Sequence, residues 1–316
     1  MTALKNAQPR FSVQSPRAVV MIRPQYFHPN PDTAVDNAYQ KQAPNENPEE
    51  TAKRASSEVD RVAEVLREKQ IRVHLFEDTR NQTPDSVFPN NWFSTHSGGH
   101  IAIYPMFSAN RRKERRQDII DMLKAEYHVQ DIMDYSGLEF DDLYLEGTGA
   151  MVLDHIERVA YTAQSNRANP IALERFCAHF NYEPMAFETR DESGSAVYHT
   201  NVMMSIGSEF AVVGTELIIN RKRRDEVVNR LQSTGREVIE LSNHQIGLFA
   251  GNVLELSSPD GRLLALSRTA YDALTGMQRT LLERHIEFVV LDIPTIELAG
   301  GSIRCMLAGI HLARRS

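Results

Sequence analysis

Two side chains in this sequence have the chemistry of a nucleophile and its proton-transfer partner. Cys305 is one of only two cysteines, and it follows Gly300, Gly301 and Arg304 in the segment GGSIRCMLAGI. A thiolate is a strong nucleophile, and a nearby cation or imidazole stabilises it or carries its protons. His199, in VYHTNVMM, is a candidate for that imidazole. Buried free cysteines and single strand histidines are usually structural, so the pairing depends on whether the fold brings them together.

Four further polar side chains could hold a substrate. Glu146, in LYLEGTGAMV, stands between a strand-like run and Gly-Thr-Gly, where it could orient a histidine, hold a substrate N–H, or simply end a turn. Asn90 and Asn91 precede the only tryptophan in FPNNWFS, and two amides there suit either substrate contacts or turn chemistry. Asn37, in TAVDNAYQK, is a polar candidate from an N-terminal loop. Cys177, inside the helical run ALERFCAHF, is typical of a core residue.

A repeated unit of secondary structure carries these residues. Pairs of β-rich runs start near residues 87, 149, 197 and 252, at spacings of 62, 48 and 55 residues. Each pair is followed by a helical stretch (111–127, 169–180, 224–231 and 270–285) and then by a strand-like run. The clearest hairpin, 252–266, turns at Pro259-Asp260-Gly261. The pattern predicts a ββαβ unit in each case.

The N-terminal region supplies a fifth, split unit. A strand at 18–22, a helix at 49–69 and a strand at 71–76 lack one strand, which segment 302–312 could provide. We therefore predict an α+β fold, a five-bladed α/β propeller of ββαβ repeats closed by the C-terminal strand, with residues 1–316 as a single catalytic domain. In such a ring the hairpin starts converge on a central channel, where a small-molecule site would form.

Composition excludes several classes of partner. The net charge of −7 argues against a nucleic-acid-binding body, and no apolar run approaches the ~18 residues of a membrane span. The two cysteines, 128 residues apart, predict neither a disulfide framework nor a zinc site. The N-terminal residues have no apolar signal-peptide segment, so we expect a cytoplasmic protein in which a free thiol persists.

The motifs, taken in order along the chain, resemble those of the guanidino-group-modifying superfamily. This superfamily includes arginine deiminases, dimethylarginine dimethylaminohydrolases and amidinotransferases, and the closest likeness is to citrulline-utilisation hydrolases and arginine dihydrolases. The resemblance runs from about Val19 to Ile310. It implies the pentein fold, which is a five-bladed α/β propeller, in agreement with the repeat. It also implies catalysis without a metal or other cofactor, on a free amino acid such as citrulline or arginine.

The resemblance assigns catalytic positions residue by residue. The nucleophile falls on Cys305, the catalytic histidine on His199, and the glutamate of the Glu-Gly motif on Glu146. The acidic substrate-contacting motif falls on VFPNN, where Asn91 replaces the aspartate of deiminases and dimethylarginine hydrolases. The His-x-Asp motif of arginine deiminases reads His-x-Asn here, with Asn201 in third place, which weakens a strict deiminase assignment.

Substrate-binding positions follow from the same resemblance. The Ser-x-Arg motif that holds a substrate carboxylate matches Ser165-Asn166-Arg167, and the arginine after the first hairpin falls on Arg111 or Arg112. Asn37 matches a substrate-contacting asparagine of the dihydrolase branch, and Asn90 belongs to the motif around Asn91. Basic residues that clamp a carboxylate orient the substrate, and orientation is a large part of rate acceleration.

The charge of the reacting group separates the possible activities. A guanidinium is cationic and gains from nearby carboxylates, whereas the ureido group of citrulline is neutral and gains nothing from them. Asn91 therefore favours hydrolysis of citrulline to ornithine, ammonia and CO2. The alternatives are an arginine dihydrolase, an arginine or dimethylarginine deiminase, an amidinotransferase, and a non-catalytic propeller that binds ribosomes. The retained Cys305, His199 and Glu146 argue against the last of these.

Several features stay open at the level of sequence. The arginine that binds the substrate carboxylate is not fixed, since Arg23, Arg268 and Arg304 are also available. The oligomeric state is open, and a homo-oligomer is one of the alternatives. Segment 41–50 (KQAPNENPEE) is predicted to be a flap or loop, and whether it closes over the site is unsettled.

Overall fold

Small sheets are the main architectural feature of residues 13–41 and 47–315, the part of the chain that the computed structural model describes. Fifteen strands occur there: β1 (Ala18–Pro24), β2 (Arg72–Asp78), β3 (Phe93–His96), β4 (His100–Ile103), β5 (Asp131–Asp134), β6 (Met151–Asp154), β7 (Val159–Ala163), β8 (Glu183–Phe187), β9 (Met204–Ile206), β10 (Phe210–Val213), β11 (Glu237–Glu240), β12 (Leu254–Ser258), β13 (Gly261–Ser267), β14 (Glu287–Leu291) and β15 (Ala308–Gly309). They form five three-stranded sheets.

All five sheets have the same internal order. In four of them two consecutive strands pair antiparallel and the next strand pairs parallel with the second, as in β3-β4-β5 and β6-β7-β8. The fifth sheet is β15-β1-β2, in which β15 lies antiparallel to β1 with Val19 opposite Gly309, and β2 lies parallel to β1. The ββαβ order and the contribution of the C-terminal strand agree with the sequence prediction, and the fold is a mixed α/β fold. The closed propeller itself stays a prediction.

Helices connect the strands and cover the sheets. They are α1 (Pro48–Glu68), α2 (Gln117–Glu126), α3 (Gly147–Ala150), α4 (Pro170–Phe180), α5 (Thr200–Met203), α6 (Arg221–Gln232), α7 (Asn243–Gly247), α8 (Arg268–Ala273), α9 (Gly276–Leu282) and α10 (Ile303–Met306). The longest, α1, begins with Pro48 after the N-cap Asn47, whose side chain accepts from Glu49 N. Its buried face shows the helical spacing, with Ala55, Val59, Val62 and Leu66 packed in one cluster with Val19 and Met21 of β1.

Two predicted helices are divided in the structure. The stretch predicted at 111–127 is a 3-10 turn, Arg111–Glu114, followed by α2, because Arg115 and Arg116 are extended. The stretch predicted at 270–285 is α8 and α9. Thr275 separates them, since its side chain and Gln278 form a capping box that starts a new helix. Of the segment 41–50, residues 42–46 lie outside the described part of the chain, and α1 has begun at Pro48.

The first strand of several units begins later than predicted, and a short helical turn precedes it. These turns are a 3-10 turn at Pro89–Asn91 before β3, α3 before β6, α5 before β9 and α10 before β15. Three of the four turns contain Gly or Asn, which are poor strand formers, and α10 (Ile-Arg-Cys-Met) contains neither. The turn at Pro89–Asn91 contacts both α3 and α10, and α3 contacts α5. The short turns therefore meet, and they carry the predicted functional residues.

Candidate active site

The meeting point of these turns encloses a small cavity of about 250 Å³. Predicted residues that share it include the nucleophile candidate Cys305 and the imidazole candidate His199, which come from different sheets. The cavity is lined by Asn37, Asp85, Phe88, Asn91, Arg111, Arg167, Tyr198, His199, Ala299, Gly301 and Cys305. The fold thus brings four further predicted site residues, Asn37, Asn91, Arg111 and Arg167, to the cavity that holds Cys305.

Two asparagine amides donate to the sulfur of Cys305. Asn201 Nδ2 and Asn252 Nδ2 each lie 3.3 Å from Sγ, and all three residues are buried. Asn252 also donates to the carbonyl of Asn201 at 2.9 Å and accepts from the backbone N–H of Arg304 at 3.1 Å. Donated N–H groups stabilise negative charge on an acceptor, so this pair would stabilise the sulfur as it loses its proton and attacks. Neither amide adds a charge to the cavity.

His199 is held by Glu146. His199 Nε2 lies 2.8 Å from Glu146 Oε2, and both side chains are buried. Burial lowers the pKa of His199 to about 4, although the carboxylate of Glu146 acts in the opposite direction. His199 is therefore neutral near pH 7, with its proton on Nε2 directed at the carboxylate. This tautomer leaves Nδ1 free to accept a proton.

Gly149 allows His199 and Asn91 to approach the backbone of α3 closely. A Cβ added at Gly149 would lie 2.1 Å from the side-chain amide of Asn91 and 2.8 Å from His199 Nδ1. Any other residue would therefore clash with both side chains. The second glycine of the Glu-Gly-Thr-Gly segment, Gly149, is therefore required for the close packing of the site.

Glu146 is a buried anion with several positive neighbours. Arg111 Nη1 and Arg167 Nη1 each lie 3.6 Å from its Oε2, and its Oε1 accepts from the backbone N–H of Phe107 at 3.0 Å. Burial alone would raise its pKa, but Arg167, His199 and Arg111 together hold the pKa below its usual range. Glu146 is therefore ionised, and it joins the imidazole to both cavity arginines.

Arg111 is the arginine that reaches the cavity from the segment after the first hairpin. Its Nε and Nη2 donate to the two carboxylate oxygens of Glu114, each at 3.0 Å. The side-chain amide of Asn91 is oriented so that its oxygen accepts from Arg111 Nη1 and Nη2, each at 3.1 Å. Its nitrogen donates to Asn90 Oδ1 at 3.1 Å. The alternative, Arg112, donates to the carbonyls of Met106 and Phe107 and does not line the cavity.

Arg167 is occupied by a residue of the chain. Its Nε donates to Asp36 Oδ2 at 3.0 Å and its Nη2 donates to Asp36 Oδ1, so the two side chains form a bidentate ion pair. The guanidinium lies over the ring of Tyr198, 4.9 Å from its centroid, and Arg167 is only 1% exposed. Ser165 of the same Ser-x-Arg motif donates to the carbonyl of Tyr198 at 2.8 Å. Asp36 lies in the loop between β1 and α1.

The two remaining predicted residues differ in position. Asn37 lines the cavity and donates to the carbonyl of Ala299 at 3.1 Å, while its Oδ1 accepts from Tyr39 N. Asn90 is buried but does not line the cavity. Its amide oxygen supports Asn91, and among the described residues its amide nitrogen has no partner. The structure therefore places Asn90 behind Asn91 and away from the cavity lining, and its contact with a substrate stays a prediction.

Asn252 was missed at the level of sequence, although the repeat contains the signal. It lies two residues before β12, as Asn91 lies two residues before β3. Every first strand of a sheet is thus preceded within five residues by a side chain of the site: Asn91, Glu146, His199, Asn252 and Cys305. Asp36, Asp85 and Glu114 were also missed, and no periodicity distinguishes them from ordinary surface acids.

The other arginines considered for substrate binding lie elsewhere. Arg23 forms ion pairs with Asp60 and Glu77, and Arg268 lies 3.6 Å from Asp292; all of these groups are substantially exposed. Arg304 lines a separate cavity of about 540 Å³ together with His155 and His311. Cys177 packs in the core, where burial raises the pKa of its thiol to about 12.

Comparison with known proteins identifies the family of this chain. The profile of the family described as N,N dimethylarginine dimethylhydrolase, eukaryotic, matches residues 23–312. The chain belongs to this family. No curated protein sequence matches the chain. Among the described residues, no helix is long and apolar enough to cross a membrane, and no group of three or more His, Cys, Asp or Glu side chains could hold a metal ion.

Solved structures share the fold of this dimethylarginine dimethylhydrolase family member. The N-terminal domain of ArgZ, an arginine dihydrolase from cyanobacteria solved with substrate bound, superposes with a TM-score of 0.72 at 14% identity and covers 93% of this chain and 97% of that chain. AgrE in complex with L-arginine gives 0.73 at 14% identity, over 95% of this chain and 41% of that one. The Pseudomonas aeruginosa DDAH complexed with citrulline gives 0.63 at 12% identity, over 95% and 100%.

Proposed function

We propose that this protein is a cysteine-dependent hydrolase that converts citrulline to ornithine, ammonia and CO2. The observation that carries the proposal is the surroundings of Cys305: two neutral amides donate to its sulfur at 3.3 Å, and a neutral imidazole shares its cavity. In this proposal the whole chain forms one catalytic domain, and the five sheets are the blades of a pentein propeller around the site.

Charge is the reason for choosing a ureido substrate. Asn91 and Asn201 stand where deiminase-type sites carry aspartates, and both side chains are buried beside the sulfur or the cavity. The carboxylates nearest the cavity, Glu146 and Asp85, each lie within 4 Å of Arg111, and Arg167 also lies 3.6 Å from Glu146. A neutral ureido group needs no counter-charge, so it does not require the additional carboxylates that aspartates at positions 91 and 201 would supply.

The proposed reaction uses two side chains for bond changes. Nδ1 of His199 takes the thiol proton of Cys305, and the thiolate attacks the ureido carbon. The protonated imidazole then gives the proton to the departing ammonia, which leaves an S-linked thiocarbamate on Cys305. His199 next activates water, which releases the N-carboxylated ornithine and regenerates the thiol; loss of CO2 completes the reaction. Citrulline and one water thus yield ornithine, ammonia and CO2.

The remaining residues of the site orient the reaction. Glu146 fixes the imidazole and stabilises it while it carries the proton, because its carboxylate lies 2.8 Å from Nε2. Arg167 is the residue proposed to hold the substrate carboxylate, and Asn37 borders the same cavity. Asn91 is proposed to contact the ureido group, as an amide that can accept or donate a hydrogen bond.

An arginine dihydrolase is the second candidate, and a specific observation favours it. ArgZ and AgrE, whose folds this chain shares, are an arginine dihydrolase and a protein solved with L-arginine. A dihydrolase removes the imino nitrogen of arginine first and must then hydrolyse the resulting ureido group, so it needs the same neutral site in its second step. Deimination of arginine or dimethylarginine and amidino transfer act on a cationic guanidinium, so neither reaction explains neutral side chains at Asn91 and Asn201.

One assay separates these activities. The purified protein is incubated with citrulline, arginine or dimethylarginine, and ornithine, citrulline and ammonia are measured over time. Ornithine formed from citrulline but not from arginine supports the first candidate, and ornithine formed from arginine supports the dihydrolase. Accumulation of citrulline from arginine or dimethylarginine would contradict both. Cys305→Ser should abolish turnover in each case, while Cys177→Ser, a change at the other buried cysteine, serves as the matched control.

A further inference from the structure

The arginine proposed to bind the substrate carboxylate already holds a carboxylate of the chain. Asp36 uses both of its oxygens on Nε and Nη2 of Arg167, which is the fork geometry of an arginine–carboxylate complex. The remaining nitrogen, Nη1, faces Glu146 at 3.6 Å. Arg167 therefore has no free edge for a second bidentate carboxylate while Asp36 is in place.

The other cavity arginine offers no substitute. Arg111 uses Nε and Nη2 on Glu114, and Asn91 takes up the Nη1 and Nη2 side. Glu114 is 0% exposed and belongs to the same 3-10 turn as Arg111, so its carboxylate has no solvent to move into. A substrate carboxylate consequently has to replace an existing partner, and the choice falls between Glu114 and Asp36.

Asp36 is the partner that can leave. Its side chain is 16% exposed, against 1% for Arg167, and it lies in the loop between β1 and α1, not in a strand or helix. It also lines an outer cavity of about 840 Å³ together with Ser165 and Tyr198. Tyr198 lines the inner cavity as well. The Asp36–Arg167 ion pair therefore lies at the boundary between the outer and inner cavities.

We propose that Asp36 is an internal surrogate for the α-carboxylate of the substrate, and that binding exchanges one carboxylate for the other on Arg167. The proposal rests on the proposed function for the identity of the substrate. The exchange keeps a negative partner on a buried guanidinium at every stage, which avoids the large cost of leaving that charge unpaired. It also frees the Asp36 carboxylate, which stands at the entrance to the inner cavity.

The exchange makes Asp36 a specificity-determining residue. A ligand that brings its own carboxylate can compensate Arg167 and release the loop residue. A ligand without one, such as a decarboxylated citrulline or a ureido group within a peptide, cannot displace Asp36 and meets an occupied arginine. The site therefore selects free α-amino acids by competition with a side chain of the protein, and the substrate affinity is reduced by the fraction of molecules in which Asp36 is bound.

The test measures binding without turnover. In a Cys305→Ser background, calorimetry gives the dissociation constants of citrulline and of carbamoyl putrescine, which is citrulline without its carboxylate. Asp36→Asn removes the competing charge and keeps the shape. We expect this variant to bind citrulline with a dissociation constant about tenfold lower, as for an Arg167 that is ~90% occupied by Asp36 in the parent. The dissociation constant of carbamoyl putrescine should be unchanged or higher. Asp32→Asn, an exposed aspartate of the same loop, is the control and should change neither constant.

Other changes in the dissociation constant of citrulline would overturn the proposal. If Asp36→Asn weakens citrulline, Asp36 stays in place to hold the substrate ammonium, and the exchange is wrong; an unchanged constant also rejects it. A background variant that binds no citrulline would contradict the proposed function instead. In that case acetate serves as the probe, and the ¹⁵N resonance of Arg167 Nε reports its binding. Acetate should shift this resonance at concentrations at least tenfold lower in Asp36→Asn than in wild type. Equal concentration dependences in the two proteins would overturn the proposal.

Discussion

Replacing Asn201 by alanine removes one of the two N–H groups that face the sulfur of Cys305. Asn201 makes only this side-chain hydrogen bond among the described residues, since its Oδ1 has no partner there, whereas Asn252 makes three. A hydrogen bond to a charged group contributes about 1.5–3 kcal/mol. Because this hydrogen bond is 3.3 Å long and its acceptor is a sulfur, its contribution belongs at the lower end of that range. About 1.4 kcal/mol corresponds to a tenfold change, so the thiolate population should fall roughly tenfold.

Alkylation by iodoacetamide measures that population without any assumption about the substrate. The rate constant at pH 7 is compared between the Asn201→Ala variant and its parent, both carrying Cys177→Ala so that Cys305 is the only thiol. We expect a decrease of about tenfold, and a larger one for Asn201→Asp, which places an anion beside the sulfur. Asn229→Ala, on the exposed face of α6, should alkylate at the parental rate. Equal rates for Asn201→Ala and its parent would refute the role of the amide pair.

Three other changes test the rest of the site. Asn91→Asp should move the ratio of kcat/KM values for arginine over citrulline upwards by about tenfold, since it adds a negative charge beside the cavity; an unchanged ratio defeats the charge argument. Glu146→Gln should lower kcat by roughly 10²–10⁴-fold because the imidazole loses its fixed tautomer, and urea unfolding should show a loss of about 3 kcal/mol because two buried arginines each lose one of their carboxylate partners. Burial lowers the pKa of His199 to about 4 from 6.5, so its contribution to stability is present above pH 6.5 and is lost as the pH falls towards 4. His199→Gln should therefore lose less free energy of unfolding than wild type between pH 6.5 and pH 4, and parallel curves would be inconsistent with a buried neutral imidazole.

The sequence was informative where its periodicity reflects the packing. Alternating strands joined by turns such as Pro259-Asp260-Gly261 predicted the ββαβ order, and β12 and β13 pair as expected. The segment 302–312 was predicted to supply the strand that the N-terminal unit lacks, and β15 pairs with β1. Both results depend only on burial and turn chemistry, which a single sequence carries.

The short turns before the strands could not be predicted in the same way. They are three or four residues long, too short for a helical period, and His199 and Cys305 appeared to lie in strands. The resemblance of motifs supplied the candidate residues, and the structure supplied their partners. Asp36 and Arg167 are 131 positions apart, and no local pattern in one sequence connects two residues at that separation.

The order of the site residues along the chain has a consequence during synthesis. Cys305 comes 104 positions after Asn201 and 53 after Asn252, so both amides that donate to its sulfur are made before it. A nascent chain can fold its earlier units as they leave the ribosome. It nevertheless lacks the Cys305 sulfur until the segment that carries β15 has been made. A chain that stopped before residue 305 would lack the sulfur that the proposed mechanism uses, so translation through Cys305 would be the step that completes the proposed site.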